Sequence, residues 1–147
     1  MKNTEFLAEF NLVNIREEQF STFPDVDIDN NEINQSVEFG FGADPTNKLI
    51  ACSFTYTLSA GDRPFIRIQI VCNFIIEKDS WKAFQAHSKG KFLLISNDFA
   101  VHLGAIVAST TRGVLYEKTK GTNFEKYPMQ LLNVTEIIKE ENIKIEL

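Results

Sequence analysis

Ser96–Gly121, SNDFAVHLGAIVASTTRGVLYEKTKG, is the stretch around which the chain is organised. Its apolar residues Phe99, Leu103, Ile106, Val107, Val114 and Leu115 recur mostly at spacings of three and four, the stripe of a helix pressed onto something flat. Ser96, Asn97 or Asp98 supplies a short side-chain oxygen to cap a first-turn amide. Lys118 and Lys120 fall in the last turn, where a cation meets the negative end of the dipole, and Gly121 follows as a left-handed stop. Gly104, Ala105, Ala108 and Ser109 keep one side of the helix nearly flat, open to close approach by another backbone. The segments before it read as strands, and the tail after it as one more short helix.

Upstream, Phe6, Ala8, Phe10 and Leu12 alternate with Leu7, Glu9, Asn11, Val13 and Ile15, a first strand with both faces partly apolar. From about Glu17 to Asn31, EEQFSTFPDVDIDNN is acidic, rich in Asn and broken by Pro24. It is too long for a hairpin turn and is expected to cross over part of the fold. Its apolar residues Phe20, Phe23, Val26 and Ile28 would pack on the surface or shape a groove. Ile33 to Phe41 makes a second strand. The turn GADPTNK follows, with Pro45 preset and Asn47 tolerant of positive φ. Leu49–Leu58 is a third strand. Phe65–Glu77 is a fourth, with Ile66, Ile68, Ile70, Cys72, Phe74 and Ile76 on one face. Its other face carries Val71 and Ile75, a half-apolar surface suited to a second subunit.

Asp79–Gly90 reads as a short helix or turn-rich bridge built on Trp81 and Phe84, and Phe92–Ile95 delivers the chain to the long helix. Beyond Gly121, Phe124, Tyr127, Pro128 and Met129 form an aromatic turn. A last helix then starts at Asn133 or Thr135 and carries Val134, Ile137 and Ile138. The expected class is α+β, one domain over residues 1–147: a four-stranded antiparallel sheet with a long crossover after strand one, covered by one long and one short helix.

The 147 residues are 44% hydrophobic and 24% charged, which allows a sizeable core and excludes wholesale disorder. The 13 Phe must line a core, a subunit interface or a greasy binding surface. A net charge of −5 and the absence of a basic stripe argue against nucleic-acid binding. Acidic residues at Glu17, Glu18, Asp25, Asp27, Asp29, Glu140 and Glu141 read either as solvated loops or as attraction for basic partner segments. Cys52 and Cys72 lie in apolar runs and read as buried thiols. They are too few for a zinc site, and a disulfide would need their strands to pair suitably. The first residues lack a signal-peptide h-region and no apolar run spans a membrane, so the expected compartment is the cytoplasm.

No catalytic set emerges. His87 and His102 read as surface or partly buried histidines. Motifs such as HExxH, CxxC, GxSxG and a phosphate loop are missing, and DVDID would be a weak cation trap at most. The expectation is a binding protein with no catalytic residues, no metal and no cofactor.

Four antiparallel strands, a long crossover after the first, then a long helix and a short one resemble the SecB export-chaperone family from about Phe10 to Ile138. RGVLYEKTKGTNFEKYPMQLLNVTEII looks like that family's helix end, aromatic and proline turn and last helix, and FSTFPDV resembles its crossover. Two features depart from the pattern: FLLISNDFAVHLG replaces a proline-and-aromatic run, and KEENIKIEL replaces the acidic tail that contacts the secretion ATPase. The resemblance implies an ATP-independent holdase for unfolded polypeptides, serving either preprotein export or a toxin–antitoxin pair. It also implies a homotetramer, a dimer of dimers. The client groove would be lined by Phe20, Phe23, Ile28, Tyr127, Met129, Leu131 and Leu132, each of which could instead be plain core. Subunit contacts would use Val71, Ile75, Gly104, Ala105, Ala108 and Ser109. Two other readings stand beside it: a small-molecule site using Arg67, Asn73 and His102, and an adaptor with one dedicated partner.

Overall fold

The computed structural model describes residues 8–86 and 88–147. Four long strands, β1 (Phe10–Thr22), β2 (Ile33–Asp44), β3 (Leu49–Ala60) and β4 (Arg63–Ile76), form an antiparallel sheet in the order β1-β4-β3-β2. The first two strands therefore occupy opposite edges, and the connection between them must travel three strand spacings, about 14 Å. Residues 23–32 make that crossing over the end of the β3–β4 hairpin. Phe23 N–H donates to Phe65 O at 3.0 Å and Gly61 N–H to Glu32 O at 2.7 Å.

Alternation decides the sheet's two faces. Ile66, Ile68, Ile70, Cys72, Phe74 and Ile76 of β4, with Ile50, Cys52, Phe54, Tyr56 and Leu58 of β3, are buried under the long helix. Each large side chain so buried contributes about 1.5–3 kcal/mol. That helix, α2 (Asn97–Thr119), is capped by Ser96, whose Oγ accepts from Phe99 N–H at 3.2 Å. Past its C-cap, Gly121 takes φ +78°, the left-handed turn that ends it. Before it stands α1 (Lys78–Gln85), which buries Trp81 and Phe84.

Several expectations give way here. The acidic stretch Glu17–Thr22 is not crossover but the second half of β1, where Glu17 pairs Ile70 and Phe20 pairs Ile68. Irregularities between Leu12 and Asn14 and between Glu17 and Gln19 shift the register, so simple alternation lapses in this edge strand. In the turn after β2 the left-handed residue is Lys48, φ +57°, rather than Asn47. Asn47 instead donates its side-chain amide to Asp44 Oδ2 at 2.9 Å, which holds that carboxyl below its ordinary range. The last helix, α3, is a single turn, Val134–Ile137. The chain then forms β6 (Asn142–Glu146), which pairs antiparallel with Phe92–Ser96, now strand β5, in a second, two-stranded sheet. Phe6 and His87 lie outside the described residues.

Most of the aromatic excess is absorbed by packing. Phe54, Phe65, Phe74, Phe84, Phe99 and Phe124 are buried, and among the described phenylalanines only Phe23 is exposed. The count of Phe is thus evidence for a dense core first, and for a greasy surface only at Phe23.

Candidate functional site

The long crossing after β1 begins with Phe23-Pro24 and then buries Val26, which pins the loop to the core. Phe23 stays 43% exposed at the rim of a depression of about 410 Å³, with Thr22, Pro24, Val26, Arg63 and Pro64 as further walls. On the other side of Val26 a second depression, about 300 Å³, is lined by Asp27, Ile28, Phe124, Lys126 and Tyr127. Pro24 and Val26 belong to both walls, so the two depressions adjoin, one at the β1 end and the other at the turn after α2.

Phe65 holds this region together. Its carbonyl accepts from Phe23, its ring stacks with Phe124 at 6.3 Å, and Tyr127 meets it edge-on at 5.1 Å. A register shift between Leu58 and Ser59 makes Phe65 the extra residue of β4, which turns it inward although strict alternation places it outward. The loop itself is tied by amides: Asn30 Nδ2 donates to Asp27 Oδ2 at 3.0 Å and Asn31 Nδ2 to Asp27 O at 2.8 Å. Asp25, Asp27, Asp29 and Asp62 are exposed around it, against Arg63 and Lys126.

Of the expected groove residues, Phe23, Ile28 and Tyr127 come together here. Phe20 does not line either depression. It sits half-buried in β1, packed against the core, with Lys118 Nζ 5.6 Å from its ring centre while the same ammonium pairs with Glu17 at 2.7 Å. Met129 is 3% exposed and belongs to the core, so it offers no surface in this conformation. Its carbonyl accepts from Arg112 Nε at 3.3 Å, and the carbonyl of Gln130 accepts from Arg112 Nη2 at 3.3 Å, latching the post-helix segment to α2. Leu131 is 87% exposed, and Leu132 is half-buried against the core.

The residues expected at a subunit interface divide as well. Gly104 and Ala108 are buried, and the Gly104 side of α2 is filled by Val134 and Ile138 of the chain's own tail. Ala105 and Ser109 remain exposed. Val71 is buried while Ile75 is exposed on the outer face of β4. A smaller groove of about 170 Å³ lies between edge strand β2 and the tail, lined by Val37, Phe39, Phe41, Ile137, Ile138 and Ile143.

The small-molecule residues do not converge. Arg67 and Asn73 lie on the outer face of β4, where Asn73 donates to Asn14 Oδ1 at 2.7 Å. His102 stands on α2 against Phe10, ring centres 5.7 Å apart, on the other side of the sheet. Among the described residues no group of three or more His, Cys, Asp or Glu is placed to hold a metal, and no helix is long and apolar enough to cross a membrane.

No family model matches the chain, and no curated protein matches it by sequence. Among solved structures it is similar to Rv1957 of Mycobacterium tuberculosis, a SecB-like chaperone solved in complex with a ChAD peptide from the Rv1956 HigA1 antitoxin. The two chains are 14% identical, with 84% of this chain and 90% of that chain covered, at a TM-score of 0.48.

Proposed function

We propose that this chain is an ATP-independent holdase that captures extended segments of unfolded polypeptides. The observation that carries the reading is the apolar depression with exposed Phe23 at its rim, adjoined across Val26 by a more polar one, with four aspartates around the two. Apolar side chains of a client would enter the depression at Phe23, and the carboxylates would favour basic flanks. β2, an edge strand of the sheet, would offer backbone donors and acceptors to an extended chain. The role needs no catalysis, no cofactor and no nucleic acid. Clients are either preproteins on their way to a secretion ATPase or members of a toxin–antitoxin pair.

In the proposed assembly, a cytoplasmic homotetramer, subunits meet through Ile75, Ala105 and Ser109. Leu12, Val13 and Ile15 of edge strand β1, each more than 40% exposed, offer further apolar surface. Light scattering gives the solution mass, and titration with a reduced, alkylated polypeptide gives the affinity without nucleotide. A tetramer binding at a dissociation constant on the order of 1 μM or tighter supports the reading. A monomer indifferent to unfolded chains overturns it.

A small-molecule reading draws on the 410 Å³ depression, which is of the size such ligands occupy. A thermal-shift screen that finds a stabilising metabolite would favour it over the holdase.

A further inference from the structure

The two cysteines are direct cross-strand partners. Cys52 of β3 stands opposite Cys72 of β4 in the antiparallel ladder, both buried and both on the face under α2. Residues opposed in this way have Cα atoms about 4.5–5.5 Å apart, inside the range a disulfide spans. Both are free thiols in this structure. Nothing in the holdase site uses them. We propose that Cys52 and Cys72 form a redox pair that closes to a cross-strand disulfide stapling β3 to β4.

The route in lies along β1. Cys72 is next to the edge strand, paired with Ile15, which is half exposed, so a small opening of that edge uncovers its sulfur before that of Cys52. With a low-molecular-weight disulfide as oxidant, the Cys72 thiolate attacks one reagent sulfur. The reagent S–S bond breaks, one thiolate leaves, and a mixed disulfide remains on Cys72. The Cys52 thiolate then attacks the Cys72 sulfur and expels the second reagent thiolate. The two cysteines lose two electrons to the reagent, and their two protons pass to the two released thiols. Burial favours both protonated thiols, which makes the first attack slow rather than forbidden.

The folded protein is incubated with hydroxyethyl disulfide, quenched in acid, alkylated, and analysed by intact mass and by peptide mapping without reductant. The expected product is two hydrogens lighter than the starting chain, carries no adduct, joins tryptic segment 49–67 to segment 68–78, and reverts with dithiothreitol. The Cys52→Ser variant should stop at the mixed disulfide on Cys72, because the resolving thiol is gone. Two results overturn the proposal. One is wild-type protein whose thiols both stay alkylatable under conditions that oxidise the urea-unfolded chain. The other is wild-type protein that keeps a mixed disulfide to the same extent as the variant.

Discussion

A Cβ placed on Gly104 of the long helix would come 3.0 Å from Cδ1 of Ile138 in the tail. Val134 and Phe39 crowd the same point at 3.1 and 3.2 Å. The missing side chain is what lets the tail and β2 lie on α2. Replacing Gly104 with Leu should therefore cost about 1–3 kcal/mol by overpacking, read from urea denaturation midpoints. Gly104→Ala should be closer to neutral. Its crowding touches side-chain ends that can shift, and relief of a mid-helix glycine returns about 0.5–1 kcal/mol. A Leu variant as stable as wild type would show that the tail packs elsewhere.

The Arg112 guanidinium reaches two carbonyls of the segment after the helix, at Met129 and Gln130. Because the arginine is partly exposed, Arg112→Met should lower stability by only about 1 kcal/mol. The larger effect is local: amide hydrogen exchange over residues 129–133 should speed up while the β3–β4 core stays protected. Unchanged exchange in that segment contradicts the latch.

Phe20 and Phe23 are three residues apart but should behave oppositely. Phe20→Asp puts a carboxylate against the core, beside Glu17, and should cost about 2–4 kcal/mol. Phe23→Asp alters an exposed ring and should stay within about 0.5 kcal/mol of wild type. Melting temperatures of the two variants, measured side by side, check the contrast. Equal destabilisation would mean that Phe23 is structural after all.

Three buried acids set the alkaline limit. Desolvation raises the thiols of Cys52 and Cys72 above their ordinary 9.0 and the Tyr56 phenol above 10.0. The Tyr56 hydroxyl also donates to Gln35 Oε1 at 2.9 Å. Since each folded pKa exceeds the unfolded one, their stabilisation is complete below the unfolded values and is lost as pH rises through the folded ones. The melting temperature should fall steadily above about pH 9. Replacing both cysteines with Ala should flatten the early part of that fall. A melting temperature that does not change into strongly alkaline solution would contradict this.

Much of this fold is legible in the sequence because burial imposes period two on β3 and β4 and a spacing of three and four on α2. Legibility fails where residues are not buried on a regular face. β1 is an edge strand, so Arg16, Glu17 and Glu18 can be polar without penalty, and its two register shifts erase the alternation. Ile143 and Ile145 do alternate in β6, yet five residues between charged neighbours resemble the end of a helix just as well. At the candidate site, Phe23 and Ile28 were readable because apolar residues in a long acidic loop must pack somewhere. Phe65 was not, because only the bulge opposite Ser59 turns it toward Phe124 and Tyr127. Met129 shows the opposite failure, an adaptable side chain that the core absorbs.

The most direct measurement is suppression of aggregation of a chemically unfolded protein, without nucleotide, by wild type and by the Phe23→Asp, Tyr127→Asp double variant. Far-UV circular dichroism and melting would establish that both are folded. The holdase proposal predicts that wild type at modest molar excess abolishes light scattering and that the folded double variant leaves most of it. Equal suppression by both would remove the depression around Val26 as the client site. No suppression by wild type would contradict the chaperone function itself.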